Sequence, residues 1–379
     1  MGTEAIKLRR KETIRIHGHD NLLFAVTLIT AIIGIIVIYS ATLSFNTYTN
    51  VIVQSGAFLI GMLLMLMISK IDYHFYGYIS VPIYAVCIAL LVAVLVFGST
   101  GNWGARSWIR FGPIGIQPSE ICKIGFALTF AKHLSVVKER INRPLTLLLL
   151  LVHLGVILGL IMMQPDAGSA MVFCFMFAVM VFTAGLSFKY VIPAVLTLTA
   201  SLPFVYFFLL SEYQKHRIQV FFNPEMDKLG SGYNVIQSKI AVGSGQLFGK
   251  GFLKGTQNQM GFLPTKHTDF IFSVIAEEFG FIGALLVILL LFLIIARCIK
   301  AAQEANDLYG KYVCIGIAAM LIFHTFENAG MCIGLMPVTG IPLPFISYGG
   351  TSLLTNMIAI GIILSVTRHS HGTSIGYRE

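Results

Sequence analysis

The sequence predicts an all-α integral membrane protein with about ten transmembrane helices in a single domain, residues 1–379. Hydrophobic residues make up 56% of the chain and charged residues only 11%, far from the average of a soluble domain. Ten apolar stretches come close to the roughly 20 residues with which a helix spans a bilayer. These runs are continuous and lack the alternation of a membrane β-barrel, so helices are the remaining way to pair the backbone in lipid.

The predicted spans, in chain order, are 21–43, 51–69, 76–97, 119–135, 145–163, 167–186, 189–210, 270–298, 311–335 and 351–367. The first follows a basic N-terminus (residues 1–20), and its apolar run is too long for a signal peptide. A long polar segment (211–270) precedes the eighth span. Before the tenth, the stretch "PVTGIPLPFISYGGTS" is too rich in Pro and Gly for a straight helix. We expect a broken or re-entrant segment there, where protein or a watery cavity satisfies the backbone.

The distribution of Lys and Arg predicts how the spans are oriented. With the N-terminus inside, 16 of the 26 basic residues fall in cytoplasmic segments, and the short outer loops hold only Arg106 and Arg110. Positive charge prefers the cytoplasmic side of short loops, so both termini, including the tail 368–379, are predicted to be cytoplasmic. The segment 211–270 is then extracytoplasmic. The net charge of +9 reflects anchoring at an anionic inner leaflet, and no nucleic-acid partner is expected.

Two other sequence features could indicate functional sites, but their residues do not match the motifs that such sites require. The six cysteines lie mostly inside apolar runs and form no CxxC pair, so neither a disulfide framework nor a zinc site is predicted. The run "GSGQLFGKGFLKGT" (243–256) resembles a phosphate-binding loop, but that motif requires Gly at 244 and a hydroxyl at 251, where the chain has Ser244 and Gly251. A flexible Gly-rich loop is the simpler interpretation, although its backbone amides could hold anionic groups.

Ionisable side chains in or beside the spans are the main functional candidates, because charge near hydrocarbon is costly unless it is solvated or paired. Asp269 stands at the start of span eight, shortly after Lys266 and His267. It is either a helix N-cap or a catalytic carboxylate, and the two roles are compatible. Glu120 and Lys123 in "QPSEICK" lie three residues apart on one helix face, where they can pair. Taken alone, such a pair is more often structural than catalytic.

Two further candidates lie near the starts of spans. Asp166 in "QPDAGSA" could cap the helix of span six or take part in chemistry. Trp108 in "GARSWIRFG" could form a platform for a bulky substrate, whereas an interfacial anchor is the default role of Trp at such a position.

Four runs together resemble the shape, elongation, division and sporulation (SEDS) family of bacterial wall synthases. They are "GARSWIRFGPIGIQPSEICK", "QPDAGSA", the stretch 216–283 that contains "KGTQNQMGFLP" and "HTDF", and "GLMPVTGIPLPFISYGGTS". The "KGTQNQMGFLP" stretch is more similar to elongation members than to division members. The resemblance covers nearly the whole chain. Ala167 and Gln246 depart from the family pattern, at uncharged positions that leave the activity expected.

The resemblance implies a ten-helix peptidoglycan glycosyltransferase of the bacterial cytoplasmic membrane. Its substrate would be lipid II, a disaccharide-pentapeptide on undecaprenyl pyrophosphate, polymerised at the outer face for cell elongation and rod shape. The implied partners are a class B penicillin-binding protein as transpeptidase and other membrane proteins of the elongation complex. The family's essential acid in "HTDF" corresponds to Asp269, and its other motif residues correspond to Glu120, Lys123, Trp108 and Asp166.

The chemistry of such a transfer can be argued from the residues as well. A lipid pyrophosphate leaves readily, so the reaction needs one base for the acceptor hydroxyl, whereas a glycosidase generally needs two carboxylates. We expect Asp269 to activate the 4-hydroxyl of the acceptor N-acetylglucosamine. A single displacement would then invert an α-linked donor to a β-1,4 glycan.

The departing diphosphate requires positive charge, from side chains or from a divalent ion. The candidate cations are Lys123, Arg110, Arg217 and Lys239, with Lys266 and His267 in supporting positions. The spacing of Asp and Glu predicts no protein metal site. Mg²⁺ or Mn²⁺ bridging the pyrophosphate would need few protein ligands.

Two other function classes fit part of the same pattern. A transporter (flippase) that moves lipid II without altering it would also have ten helices, breaks near proline and buried charge. A scaffold that only recruits a transpeptidase would leave Asp269 dispensable. The motif match favours the enzyme, and without an SxxK motif in the outer segment we assign cross-linking to a partner.

Overall fold

The computed structural model describes residues 20–45, 48–98, 107–111, 114–228 and 230–370. The basic N-terminus apart from Asp20, the outer-loop residue Arg106 and the tail beyond Ser370 lie outside the described residues. Within these ranges the chain is an all-α membrane bundle, as predicted, and eight helices are long and apolar enough to cross a bilayer.

The helices are α1 (Asn21–Thr42), α2 (Thr49–Ile68), α3 (His74–Tyr78), α4 (Ser80–Phe97), α5 (Pro118–Val137), α6 (Pro144–Met162), α7 (Ala167–Thr183), α8 (Phe188–Phe204), α9 (Glu212–Phe222), α10 (Ser231–Ser244), α11 (Thr256–Gln259), α12 (Ile271–Glu304), α13 (Leu308–Ile333) and α14 (Gly350–His369). A π-helical turn, Val205–Leu209, extends α8. Two strands that were not predicted, β1 (Ile109–Phe111) and β2 (Ile114–Ile116), form an antiparallel hairpin.

Each of the ten predicted spans corresponds to one long helix. Eight of these helices are long and apolar enough to cross a bilayer: α1, α2, α4, α6, α8 with its π-helical turn, α12, α13 and α14. The other two are α7, which has 17 residues, and α5, which carries Glu120 and Lys123. Most of α5 is buried by its neighbours, including the Glu120 and Lys123 side chains. A helix covered by protein can therefore occupy a place in the bundle without a uniformly apolar surface.

The central helix of the bundle is α13, which packs against α5, α7 and α12. In addition, α14, which is mostly buried, packs against α2, and α1 packs against α12. By contrast, α8 buries none of its residues and carries Pro193 and Pro203 in its interior. A helix that is apolar all round and unburied by protein is suited to contact with lipid.

Two polar contacts between α1 and α12 mark the ends of this helix pair. At one end the Arg297 guanidinium lies 2.7 Å from an Asp20 carboxylate oxygen. At the other the Ser40 hydroxyl donates to Glu278 Oε1 at 2.6 Å. About 20 residues separate the contacts on each helix, which corresponds to about 30 Å and matches the hydrocarbon thickness of a bilayer. Glu278 therefore lies near one membrane face and Arg297 near the other.

The helix α12 is interrupted at Gly280, whose backbone has φ 67° and ψ −164°. In a straight helix the N–H groups of residues 281 and 282 would donate to the carbonyls of 277 and 278. Here the backbone of residues 246–251 forms hydrogen bonds with these two N–H groups and with these two carbonyls. Phe281 N donates to Gln246 O (2.8 Å), Ile282 N to Leu247 O (3.2 Å), Lys250 N to Glu277 O (3.0 Å) and Gly251 N to Glu278 O (2.9 Å). An inserted loop thus pairs with two N–H groups and two carbonyls at the break.

This insertion corrects the interpretation of "GSGQLFGKGFLKGT" as a flexible loop. A side chain at Gly245 would collide with the Ala276 carbonyl, and one at Gly249 would collide with Glu278 O. The glycines therefore permit close backbone approach to α12, and the loop is packed. The described part of the segment 211–270 also holds three helices, α9, α10 and α11.

The predicted broken segment is confirmed between α13 and α14, and we call residues 334–349 the re-entrant segment. It begins at Gly334, which is left-handed (φ 77°), and Gly340 is left-handed as well (φ 78°). The buried Gln54 of α2 clamps its far end, since Gln54 Nε2 donates to Ser347 O (3.2 Å) and Gly349 N donates to Gln54 Oε1 (3.1 Å). Protein groups thus satisfy this irregular backbone, as a membrane requires.

Candidate active site

Asp269 lies in the turn that leads into α12. The first helical residue is Ile271, and the N-cap is Phe270, whose carbonyl accepts from Ser273 N at 3.1 Å. The Asp269 carboxylate therefore does not cap the helix. A Cβ atom at Gly340 would lie 3.7 Å from Asp269 Oδ2, so this glycine leaves space beside the carboxylate.

Three consecutive carbonyls fix the backbone of this turn. Tyr348 N donates to His267 O at 2.8 Å, and the Ser347 hydroxyl donates to Thr268 O at 2.7 Å. Asn328 Nδ2 donates to Asp269 O at 2.8 Å. The same Asn328 nitrogen also donates to a carbonyl of the re-entrant segment, Ile341 O, at 2.8 Å. The turn, α13 and the re-entrant segment are therefore held as one unit around Asp269.

The environment of Asp269 suits a general base. Burial raises the pKa of Asp269 to about 6, while the positive charge of Arg217 and the Thr268 hydroxyl oppose the rise. A carboxylate with this pKa is ionised at neutral pH and is a stronger base than an ordinary aspartate. Perturbed acids of this kind, beside open space, are typical of active sites.

Arg217 is the predicted cation whose charge acts on Asp269. It lies on α9 and lines a small cleft, together with Val235 of α10 and Pro337 of the re-entrant segment. Lys239, on the exposed side of α10, packs against Gly334, where α13 ends. A cation is favoured at a helix C-terminus. Two of the four candidate cations thus flank the start of the re-entrant segment.

Lys266 and His267 support the turn. Lys266 is only 1% exposed, and its ammonium donates to Ser44 Oγ (2.7 Å) and to the Asn258 carbonyl. Burial lowers the pKa of Lys266, while Glu278 and Glu277 oppose that shift. Burial and the adjacent Lys266 charge lower the pKa of His267 to about 4, so its ring is neutral at pH 7. Neither side chain is placed as a cation on an open surface.

Glu120 and Lys123 form an ion pair inside the bundle. Lys123 Nζ lies 2.6 Å from Glu120 Oε1 and 2.9 Å from His324 Nε2 of α13, and both members of the pair are buried. The predicted pairing is therefore present, and it joins α5 to α13. Lys123 is enclosed by these contacts and is not presented to a diphosphate in this structure.

Asp166 caps α7, as one of its two interpretations predicted. Asp166 Oδ1 accepts from Ser169 N at 2.9 Å, and Oδ2 accepts from the Ser169 hydroxyl at 2.8 Å. Both carboxylate oxygens are thus engaged by the first turn of their own helix. This is the bond pattern that an N-cap aspartate makes.

Trp108 and Arg110 lie in or beside the hairpin of β1 and β2. The Trp108 ring contacts the Gly115 position, and Arg110 is exposed opposite Gly115. The Thr351 hydroxyl donates to Gly115 O at 2.9 Å, which attaches the hairpin to the start of α14. These two residues therefore lie at the α14 end of the re-entrant segment, whereas Arg217 and Lys239 lie at the α13 end.

Several residues of this region were missed from the sequence, although a signal was present. Glu277 and Glu278 of α12, and Glu327 and Asn328 of α13, are all buried polar side chains inside predicted spans. Thr339 Oγ1 of the re-entrant segment donates to Glu327 Oε1 at 2.8 Å. Intramembrane ionisable residues are functional candidates by default, so "AEEFG" and "HTFENAG" should have been weighed with the others.

The described residues contain no group of three or more His, Cys, Asp or Glu side chains that could hold a metal ion. Beside Asp269 the charged neighbour is Arg217, a cation rather than a second ligand. This donor set does not fit a metal held by the protein alone. Mg²⁺ or Mn²⁺, where one acts, would have to arrive on the substrate diphosphate.

This is the architecture of a polytopic membrane protein, with a carboxylate of raised pKa and nearby cations at one end of the helices. The chain belongs to the FtsW/RodA/SpoVE family of cell cycle proteins, whose model matches residues 20–372. This membership agrees with the resemblance drawn from the motifs.

Individual relatives give the same picture. The chain is 39% identical to peptidoglycan glycosyltransferase MrdB of Escherichia coli strain K12, over 83% of this chain and 84% of that protein. It is 34% identical to peptidoglycan glycosyltransferase RodA of Treponema pallidum, over 93% and 99%. It is 38% identical to stage V sporulation protein E of Bacillus subtilis, over 93% and 97%.

Two solved structures share the fold. One is a chain from a structure of a peptidoglycan synthase complex that coordinates polymerization and crosslinking. It is 32% identical to this chain, with a TM-score of 0.81, and the match covers 93% of this chain and 98% of that one. The other is rod shape determining protein RodA of Thermus thermophilus, 29% identical, with a TM-score of 0.70 and the same coverage.

Proposed function

We infer that the chain is a peptidoglycan glycosyltransferase of cell elongation, the activity stated in the names of its MrdB and RodA relatives. We propose that it polymerises lipid II into β-1,4 glycan strands and that Asp269 is the general base. The observation that carries this proposal is a carboxylate of raised pKa, beside Arg217, on a backbone pinned at three successive carbonyls.

The reaction proceeds as a single displacement. Asp269 accepts the proton of the acceptor's 4-hydroxyl while that oxygen forms a bond to the donor anomeric carbon. The bond between the anomeric carbon and the diphosphate oxygen breaks, and the diphosphate leaves with the electron pair. Arg217 and Lys239 are the side chains we assign to the developing negative charge. One inversion converts an α-linked donor into a β-linked product, and Asp269 afterwards releases its proton to water.

We assign the Asp269 end of the bundle to the outer face of the bacterial cytoplasmic membrane, with both termini cytoplasmic. The count of Lys and Arg supports this orientation. The ion pair between Asp20 and Arg297 then lies at the inner face. The polyprenyl tail of the substrate stays in the bilayer, where an enzyme embedded among lipids meets it directly.

Cross-linking of the strands is assigned to a partner. The relative with the TM-score of 0.81 was solved as part of a synthase complex that coordinates polymerization and crosslinking. We propose a class B penicillin-binding protein as the corresponding partner here, together with other membrane proteins of an elongation complex. These assignments rest on that relative and on the motifs.

Purified chain incubated with lipid II in detergent micelles tests the activity against the transporter alternative. A polymerase produces glycan strands in micelles, where no compartments exist, whereas a transporter relocates lipid II in liposomes and leaves it unpolymerised. We expect strands in micelles. Adding a chelator in the same assay measures the contribution of a divalent cation on the diphosphate. Relocation in liposomes with no strands in micelles would contradict the proposal.

A further inference from the structure

Two carboxylates and two ammonium groups come together where one end of α12 meets the end of α1. We call Glu277, Glu278, Lys250 and Lys266 the four-charge cluster. Glu277 is 0% exposed, Glu278 and Lys266 are each 1% exposed, and the Lys250 side chain is 26% exposed. Opposite charges are equal in number, which makes burial of the set tolerable where a single charge would be costly.

Glu277 binds α11 and the loop that leads into it. Its Oε1 accepts from Lys250 Nζ (2.8 Å) and from Gln257 N (2.8 Å), and its Oε2 accepts from Asn258 N (3.0 Å). Both oxygens are therefore occupied by donors. The Lys250 backbone also donates to the Glu277 carbonyl across the break in α12. Side chain and backbone of Glu277 thus hold the same loop.

Glu278 and Lys266 extend the connection to α1. Glu278 Oε1 accepts from the Ser40 hydroxyl (2.6 Å) and from Asn258 Nδ2 (2.9 Å). The Lys266 ammonium donates to the Asn258 carbonyl and to Ser44 Oγ. Asn258 is consequently bound by both carboxylates and by Lys266, and the four charges act as one connected network.

The cluster brackets Asp269 along the chain. Lys266 precedes Asp269 by three residues, and Glu277 follows it by eight, two turns into α12. The cluster therefore fixes the entry to the turn and the helix that leaves it. On the other side, Asn328 and Ser347 hold the carbonyls of Asp269 and Thr268.

We propose that Glu277 and Glu278 are positioning residues for Asp269, a role that rests on the proposed function. They act through Lys250, Asn258 and Lys266, and they touch neither the carboxylate nor the cleft lined by Arg217. Displacing a base by about 1 Å can reduce a rate about 100-fold, since the reacting atoms must lie within a narrow range of distance. Loss of the cluster should therefore lower kcat and leave substrate binding intact.

The two glutamates should differ in a defined way. Both oxygens of Glu277 accept hydrogen bonds, so the amide of Glu277→Gln must place an NH2 group against a donor. In the described part of the chain, Glu278 Oε2 is buried and accepts no hydrogen bond, so the amide of Glu278→Gln can keep the contacts of Oε1. We expect a fall in kcat of about 10-fold or more for E277Q and a smaller fall for E278Q.

The experiment measures kcat, KM for lipid II and the midpoint of thermal unfolding of the full-length chain in detergent. Asp20→Asn is the matched control, because it removes an ion pair between the same two helices at their other end, and Asn retains the capping of α1. We expect E277Q to lower kcat with KM within about twofold. D20N should lower the midpoint and leave kcat within about twofold.

Wild-type kcat in E277Q, or a loss of kcat in D20N as large as in E277Q, would overturn the positioning role. Should E277Q fail to fold, Lys250→Met provides the second test. The Lys250 side chain is 26% exposed, so water can take the place of its ammonium beside Glu277, and K250M should show the same fall in kcat with KM preserved. Asp269→Asn is measured in parallel. If D269N is inactive while E277Q and K250M are fully active, the positioning role fails alone. If D269N is fully active, the proposed function fails.

Discussion

Asp166 and Asp269 occupy similar places in the sequence, each in a polar motif just before an apolar helix, and the fold uses them differently. The Asp166 carboxylate spends both oxygens on Ser169 in the first turn of α7. At α12 the N-cap is Phe270, and the Asp269 carboxylate lies beside Gly340 of the re-entrant segment. Asn328 Nδ2 donates a hydrogen bond to the backbone carbonyl of Asp269 and so fixes the backbone at this residue.

Sequence position alone therefore does not decide how the fold uses a carboxylate. Asp166 is followed at the third position by Ser169, which supplies both donors locally. The donors that fix the turn at Asp269 come from α13 and the re-entrant segment, far along the chain, and they bind the backbone carbonyls of residues 267–269. A carboxylate that is positioned by its backbone remains available for proton transfer.

The largest change in stability is expected at a third carboxylate, Glu120, which forms a buried ion pair with Lys123. Lys123→Met leaves the buried Glu120 charge without its ammonium partner. Removing one member of a buried pair costs about 3 to 5 kcal/mol, because the remaining charge is uncompensated. We expect a corresponding fall in the free energy of unfolding of the purified chain, measured in detergent.

Lys215→Met is the matched control, because Lys215 and Glu212 form an ion pair with the same three-residue spacing at 2.9 Å. There the carboxylate side chain is 90% exposed, and surface pairs contribute little. Equal losses in the two variants would contradict the distinction between enclosed and exposed charges in this bundle.

The rate of polymerisation should depend on pH through Asp269. Its pKa is raised to about 6, so the carboxylate is protonated below that pH and cannot act as a base. We expect kcat/KM, which reports the ionisation of the free enzyme, to fall about tenfold per pH unit below 6 and to level off above it. His267, with a pKa of about 4, is already neutral near pH 6 and does not contribute to this change.

The same pKa shift has the opposite sign for stability. The folded chain binds more protons at Asp269 than the unfolded chain between about pH 4 and 6, so this contribution to stability declines as the pH rises through that window. Asp269→Asn removes the buried charge and should raise the midpoint of thermal unfolding at pH 7. A lower midpoint in D269N would indicate that the carboxylate is structural, like that of Asp166.

The smallest effect concerns the capping aspartate itself. Asp166→Ala should lower the free energy of unfolding by about 1 kcal/mol, the usual value for an N-cap, while Asp166→Asn should lower it less because Asn caps comparably. Thermal unfolding of both variants, with D269N as the reference, measures the contrast. Equal losses in D166A and D166N would mean that the charge of Asp166, and not its capping geometry, is what matters.

The sequence was sufficient for features with a local physical cause. Continuous apolar runs located the ten long helices, and the Pro and Gly content of "PVTGIPLPFISYGGTS" predicted the break between α13 and α14. The i, i+3 spacing predicted the pair of Glu120 and Lys123. Asp269 could be singled out because a charge at the edge of an apolar run requires an explanation.

Features that depend on contacts between distant segments could not be predicted in this way. The break at Gly280 exists because residues 246–251 pair with both sides of it, and a single glycine in an apolar run does not indicate such an insertion. The hidden position of Lys266 follows from Ser44, more than 200 residues away along the chain. The prediction that the Gly-rich loop is flexible was also wrong, because glycine is favoured both by close packing and by flexibility.

The most direct test of the account is the rate of lipid II polymerisation by folded, membrane-inserted D269N, with D166N assayed beside it. A general base contributes about 10²- to 10⁴-fold, so D269N should lose at least about 100-fold in kcat while D166N retains most of its rate. A D269N chain that makes glycan strands at the wild-type rate would contradict the account.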